Sequence, residues 1–222
     1  MSIEVETKDC TALSDAEMAE MADLAADCAS RYEIGLLSKQ ADEWVLVTLV
    51  RDGTKLKGYS FSTLERIGGT PSVLLGLACI ARSSKRDTVL RQLMSECFRR
   101  ALMAFPDEDV LIGGRLVDES GFEAFRSLQG IVPRPGHKAS GEERAWGRRL
   151  AKRFGFDNGD YDDRNFVARG DGQFPLALDH ESPRPEQADP DVRALFDPVD
   201  SARGDALITF GWAMAEDLLK YG

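Results

Sequence analysis

The chain has 222 residues, of which 43% are hydrophobic and 30% are charged, a balance typical of a folded globular protein with one large domain or two small ones. Its formal net charge of −10 argues against general nucleic-acid binding, which needs a basic surface. No apolar run reaches the length of a membrane span, about 18 residues, and the polar start MSIEVETKDC is unlike a signal peptide. We therefore expect a protein that binds neither nucleic acid nor membrane.

Cysteine usage indicates the compartment. The four cysteines lie far apart, without the spacing of metal ligands, at Cys10, Cys28, Cys79 and Cys97. Three of them sit in apolar patterns, as is typical of reduced cysteines in a core. This pattern indicates the cytoplasm and predicts no bound metal.

The first third of the chain predicts a helix and then strands. Residues 1–11 are expected to form a loose lead-in. Ser14 and Glu17 have the spacing of a capping box, which predicts a helix that apolar residues at helical spacing continue to about Arg31. Asp52-Gly53, between two β-branched and aromatic runs, predicts a hairpin.

A second break at IGGTP, residues 67–71, completes a three-stranded antiparallel meander. The third strand, residues 72–81, is apolar on both faces, so we expect it to lie centrally and to be covered by helices.

A basic turn follows this strand and leads into a helix that Asp87 or Thr88 is expected to cap. The apolar segment VLIGG at 110–114 predicts a short buried strand, and a strand–helix–strand unit of this length implies a right-handed crossover with parallel pairing. The segment at 118–130, DESGFEAFRSLQG, predicts a further helix that Gly130 ends. The apolar stripe of the first of these helices consists of Leu90, Leu93, Met94, Cys97, Phe98 and Ala101.

The composition changes at about residue 134. We therefore divide the chain into a core over 1–133 and a C-terminal continuation of the same domain over 134–222. The continuation begins with a predicted helix that has a basic face, SGEERAWGRRLAKRFG. Residues 155–204 then hold 12 acidic and 5 basic side chains and are rich in Pro, Gly and Asp, which predicts an ordered loop with apolar anchors. The last apolar segment, at 205–214, is either an inner strand of the sheet or part of a homodimer seam.

The order of these elements resembles the GNAT superfamily of acyl-CoA-dependent N-acyltransferases. The resemblance covers about residues 12–133, with a looser similarity at 163–168 and 205–214. It implies a mixed α/β fold, in which an antiparallel meander is followed by a β-α-β crossover and helices cover both faces of the sheet. In that family the last meander strand parts from the next parallel strand, and pantetheine fills the gap. The pyrophosphate sits on amide groups at the start of the following helix.

Carried onto this chain, the resemblance implies binding of acetyl-CoA or another acyl-CoA. The segment KRDTVL, residues 85–90, takes the place of the family's Arg/Gln-x-x-Gly-x-Gly/Ala loop, with Thr88 and Leu90 where small residues are expected. Glycine lets the backbone approach a phosphate closely, so these two positions depart from the pattern. The alternative is that RSSKR at 82–86 is only a solvated turn. The implied cofactor-binding residues are Cys79, Ile80, Ala81, Arg82, Lys85, Arg86, Asp87, Thr88 and Val89.

The catalytic residues of the family are not matched. Arg126 stands at the position of the tyrosine general acid, and an arginine with a pKa above about 12 cannot protonate a thiolate near neutral pH. Glu119 or Glu65 as a base and Tyr59 or Tyr161 as an acid are the candidates. The two histidines, His137 and His180, lie in polar loops, where we expect surface or loop-bonding roles.

Two functions remain open from the sequence. The first is transfer of an acyl group from acyl-CoA to an amine acceptor, either a small molecule or a Lys-bearing one, with the negative net charge favouring a cationic acceptor. The second is a non-catalytic GNAT-like module that binds a ligand or a protein.

Overall fold

A mixed ten-stranded sheet forms the centre of the protein in the computed structural model, which describes residues 3–222. The strands run in the spatial order β1-β2-β3-β4-β9-β5-β10-β8-β7, and β6 also pairs with β10. Their bounds are β1 Ile3–Asp9, β2 Leu46–Asp52, β3 Lys55–Ile67, β4 Thr70–Ile80, β5 Val110–Leu116, β6 Gln129–Val132, β7 Tyr161–Asp162, β8 Val167–Ala168, β9 Leu178–Asp179 and β10 Ala206–Ala213.

Helices cover both faces of this sheet. One face carries α3, and the other carries α1, α2 and α4, since a Cβ on Gly76 of β4 would meet Trp44 beyond α2, and one on Gly113 of β5 would meet Leu150 of α4. None of the helices within residues 3–222 has the length and apolar character that crossing a membrane requires. The helix bounds are α1 Asp15–Ala26, α2 Ile34–Glu43, α3 Arg86–Ala104, α4 Gly141–Arg153, α5 Pro190–Ala194 and α6 Ala215–Leu218.

The predicted meander and crossover are confirmed. β2, β3 and β4 pair antiparallel in sequence order, and β4 pairs in parallel with β5 after α3 crosses over. The capping box at Ser14 and Glu17 is present at the start of α1. The last apolar segment forms β10 inside the sheet, between β5 and β8, so the inner-strand alternative is the one observed.

Several local predictions were wrong. Residues 3–9 of the expected lead-in form β1, which pairs with β2, whereas residues 1 and 2 lie outside the described part. α1 ends at Ala26, and a separate helix, α2, follows it. The helix expected at 118–130 is a single 3₁₀ turn, Gly121–Phe125, and Gly130 then lies within β6. α3 begins at Arg86, so Asp87 and Thr88 lie inside its first turn and cannot cap it.

A β-bulge in β4 changes the direction of this strand next to β5. Ser62 of β3 lies opposite Leu75, and Ser60 lies opposite Ala78, so two steps along β3 match three along β4. An extra residue of this kind bends the strand that carries it and increases its twist. β4 therefore turns away from β5 beyond this point.

Candidate functional site

The gap between β4 and β5 is present, and the chain itself fills it. The two strands pair in parallel only as far as Leu74 and Gly113. Beyond that point β9 lies between them, with Leu178 opposite Ala78 of β4 and opposite the last residue of β5. The Ala78 amide donates a hydrogen bond to the Ala177 carbonyl at 3.1 Å. The free edge of β4 that the parting creates is thus paired with a segment from the acidic region.

β9 packs tightly in the gap between β4 and β5 and leaves little free space. The Leu178 side chain is 7% exposed. It lines a void of about 20 Å³ together with Leu90 of α3 and Phe125 of the 3₁₀ turn. A void of that size holds about one water molecule. Leu90, which stands where the GNAT pattern expects a small residue, therefore points into the core and contributes to closing the gap.

Tyr32, in the loop between α1 and α2, holds β9 from the face of the sheet that these helices cover. Its hydroxyl lies 2.9 Å from the Pro175 carbonyl and 3.1 Å from the Ala177 carbonyl, and it accepts the Ala177 amide at 3.3 Å. Its ring meets Phe174 edge to face at 5.9 Å. Burial raises the pKa of Tyr32, so its hydroxyl stays neutral and can donate.

Asp179 of β9 anchors the basic turn. Its carboxylate is buried and accepts the Ser30 amide at 2.8 Å through one oxygen. The other oxygen is paired with the guanidinium of Arg82. Arg82 also lies 3.2 Å from a carboxylate oxygen of Glu181. Charge-assisted bonds of this type are the stronger class of hydrogen bond, so the first residue of the basic turn is satisfied within the chain.

The other two basic residues of the turn are engaged in the same way. Arg86 donates from Nε to the Glu181 carbonyl at 2.8 Å, and one of its terminal nitrogens lies 3.4 Å from the Ser182 carbonyl. Lys85 lies 2.6 Å from a carboxylate oxygen of Asp52 in the hairpin. The cations predicted to attract a pyrophosphate are therefore paired with acceptors of this chain.

Comparison with solved structures identifies the architecture. The ribosomal-protein-S18-alanine N-acetyltransferase from Escherichia coli superposes with a TM-score of 0.51 over 95% of each chain, at 9% identity. The chain adopts the GNAT fold. An aminoglycoside 6'-acetyltransferase of type Ii gives a TM-score of 0.43 at 11% identity, over 59% of this chain and 86% of that one. The ElaA protein of Escherichia coli gives 0.40 at 16% identity, over 63% and 95%. No family model matches the sequence, and the search of curated proteins finds no match.

The nine predicted cofactor-binding residues are brought together, around β9. Cys79 and Ile80 end β4, Ala81 to Lys85 form the turn, and Arg86 to Val89 open α3. In the described conformation these positions do not fit the pantetheine of an acyl-CoA, because β9 holds the edge of β4 that a GNAT protein would offer to it. Cys79 instead lies in a buried group with Cys28 and Asp179, whose ligand atoms are all within 4.8 Å of one another.

The burial of His180, directly after β9, escaped the sequence analysis. His180 is 3% exposed, and its Nε2 lies 3.2 Å from Glu123 and 4.0 Å from Asp87. Ser182 donates to the other Glu123 oxygen at 2.7 Å. Burial is the largest influence on His180 and lowers its pKa below the usual value. Of the two roles expected for this histidine, at the surface or in bonding a loop, the structure shows the second, since His180 joins β9 to the turn before β6.

The predicted acid–base candidates do not meet at the gap. Glu119 pairs with Arg193 at 2.9 Å, and Glu65 pairs with Arg153 at 2.8 Å. Tyr59 lies opposite Cys79 on β3 but is fully buried, with its hydroxyl unpaired among residues 3–222. Burial raises the pKa of Tyr59 and also that of Tyr161, which stands on β7 at the far edge of the sheet.

Proposed function

We propose that this chain is a non-catalytic, ligand-binding protein with the GNAT fold, in which β9 takes the place that pantetheine holds in that superfamily. The pairing of Leu178 and Asp179 with β4 inside the gap carries this proposal. A strand there uses the backbone groups of β4 and buries apolar surface, so an acyl-CoA has to displace it before it can bind.

The arrangement of charge supports the same conclusion. Arg82 is paired with the carboxylates of Asp179 and Glu181. Arg86 donates to the backbone carbonyls of Glu181 and Ser182. These oxygens occupy the cations of the turn, which a pyrophosphate would otherwise contact. The acidic segment thus acts as an internal anion, and a second, external one is disfavoured by repulsion.

Thermal unfolding with and without acetyl-CoA, CoA and longer acyl-CoAs tests the proposal. A ligand present at a hundred times its Kd adds about 2.7 kcal/mol of stability, which for a chain of this size raises Tm by about 5–10 °C. We expect no shift up to millimolar concentration. A saturable rise that is lost when Lys85→Glu and Arg86→Glu are combined would contradict the proposal.

A second candidate is an N-acyltransferase that uses acetyl-CoA or another acyl-CoA and an amine acceptor, either a small molecule or a Lys-bearing one. The parting of β4 from β5 favours it, because the parting itself provides a gap. This function requires residues 175–182 to leave the gap. Hydrogen exchange separates the two candidates, since displacement by acetyl-CoA exposes the amide of Ala177, which Tyr32 accepts in the described conformation.

A further inference from the structure

A second cavity opens beside β5, on the face of the sheet that α4 covers. Its volume is about 650 Å³, within the range of small-molecule sites. The loop between α1 and α2, the residues that follow α4 and the segment before β9 form its walls. The aromatic side chains among its lining residues are Tyr32, Phe154, Phe156 and Phe174.

Arg115, near the end of β5, is a buried cation in this wall. The residue is 4% exposed, and its guanidinium carbon lies 4.7 Å above the centre of the Phe154 ring. Among residues 3–222 no carboxylate lies within 4.0 Å of it, its side chain donates no hydrogen bond, and its Nε is fully enclosed without a partner. Burial lowers the pKa of Arg115 to about 10, so the group remains charged at neutral pH.

A buried cation with no carboxylate in contact is costly, and Glu43 acts on Arg115 only from beyond 4.0 Å. Enclosing an ion without pairing it is strongly destabilising, and a ring face compensates only part of that destabilisation. By contrast, two other arginines are satisfied within the chain by buried carboxylates, Arg82 by Asp179 and Arg169 by Asp205. Arg115 alone among these three faces a cavity with its donors free, which points to an anion that enters from outside.

The rim of the cavity is mainly acidic, in contrast to the buried cation Arg115. Four exposed carboxylates line it, from Glu33, Asp157, Asp160 and Asp171, and only two exposed arginines, Arg31 and Arg169. A doubly charged anion such as phosphate is repelled by this rim and carries more charge than one guanidinium neutralises. A single carboxylate matches the buried charge, and a cationic group farther along the same molecule matches the rim.

We propose that this cavity binds a small amino-carboxylate, with its carboxylate on the Arg115 guanidinium, its apolar middle against the aromatic walls and its ammonium at the acidic rim. Arg115 also lines the small void beside Leu178, but this assignment does not require acyl-CoA to bind, because the amino-carboxylate enters the larger cavity on the α4 side while β9 stays in the gap. The two sites share Arg115, Tyr32 and the segment before β9, whose Pro175 and Leu176 also line the cavity.

Thermal unfolding at constant ionic strength tests the assignment with four probes: 6-aminohexanoate, hexanoate, hexylamine and sulfate. We expect a saturable rise in Tm with 6-aminohexanoate, a smaller rise with hexanoate and none with hexylamine or sulfate. Arg115→Met should weaken the binding of 6-aminohexanoate at least tenfold, whereas Arg91→Met, which removes an exposed arginine of α3, should leave it unchanged. A series from 4-aminobutyrate to 8-aminooctanoate then reports the distance from Arg115 to the rim.

No rise with either carboxylate, or an equal rise in Arg115→Met, overturns the assignment and leaves Arg115 a structural cation. A rise with sulfate as large as that with hexanoate overturns the preference for a single carboxylate. If Arg115→Met does not fold, the Nε–H resonance of Arg115 in the unaltered protein decides, because a bound carboxylate must shift it and an empty cavity leaves it in place. A response here together with no response to acetyl-CoA separates this site from the gap.

Discussion

Replacing Leu178 with alanine tests the seat of β9 directly. The side chain is 7% exposed and packs beside Leu90 and Phe125 on the α3 side of the sheet. The void already present beside it, about 20 Å³, adds to the new cavity. Leucine-to-alanine changes at buried core positions lower the free energy of unfolding by about 2–5 kcal/mol. We expect a decrease of about 3 kcal/mol for Leu178→Ala.

Urea unfolding followed by tryptophan fluorescence measures this loss. Leu219→Ala is the matched control, because that leucine is 65% exposed and its loss should change the free energy of unfolding by less than about 0.5 kcal/mol. If Leu178→Ala costs no more than the control, with an unchanged denaturant slope, then β9 is not seated in the gap and the reasoning on the internal strand is wrong.

Three further predictions follow from named contacts. Tyr32→Phe removes the hydroxyl that holds the segment before β9 and should cost about 1 kcal/mol in urea unfolding; a neutral change would mean that water replaces the hydroxyl fully. Gly76→Ala places a Cβ 2.7 Å from the Trp44 ring and should destabilise by about 1–3 kcal/mol, whereas Gly35→Ala, in open space on α2, should stabilise slightly; equal effects would contradict the close approach. The pKa of His180 is lowered in the folded protein, so the unfolded chain takes up a proton at His180 near pH 6.5 and the folded chain only at lower pH. The free energy of unfolding should therefore fall as the pH drops from about 7 to about 5. Urea midpoints across this range should fall less steeply in His180→Gln, and an equal or steeper fall would refute the assignment.

Local signals in the sequence were sufficient for the elements that depend on local physics. The capping box at Ser14, the Asp52-Gly53 hairpin and the apolar stripe of α3 each follow from short-range rules, and each is present. The strand at residues 3–9 was missed because its alternation is weak and mostly polar, and its stability comes from pairing with β2. The helix expected at 118–130 failed because a 3₁₀ turn and a strand share that span.

The candidate site shows where sequence reasoning ends. The basic turn was evident in the sequence, and the parting of β4 from β5 was implied by the GNAT resemblance, whereas the occupant of the gap was not predicted. β9 has only two residues, and their partners lie about a hundred positions earlier on β4. The one available signal was the apolar series Phe174, Leu176 and Leu178 inside an acidic segment, which indicated an anchored loop without indicating its seat. Arg115 was missed for a related reason, since only the fold reveals that a strand arginine is enclosed without a partner.

The large residue Leu90, where the GNAT pattern expects a small one, and the strand β9 in the gap are structurally linked. Leu90 of α3 fills the space beside Leu178, and Asp179 of β9 neutralises Arg82 of the turn. The turn and α3 therefore stabilise β9 in the gap, and β9 in turn stabilises the basic turn. If the seat of β9 is worth about 3 kcal/mol, only about one molecule in 150 has the gap open, and an intrinsic micromolar affinity for acyl-CoA becomes about 150 micromolar. The variant Leu178→Ala removes most of that penalty. An acyltransferase with a displaceable strand would therefore bind acetyl-CoA about 100-fold more tightly in this variant, whereas a binding protein that has lost the cofactor site would gain nothing, because the cations and the side chain of Leu90 remain as they are.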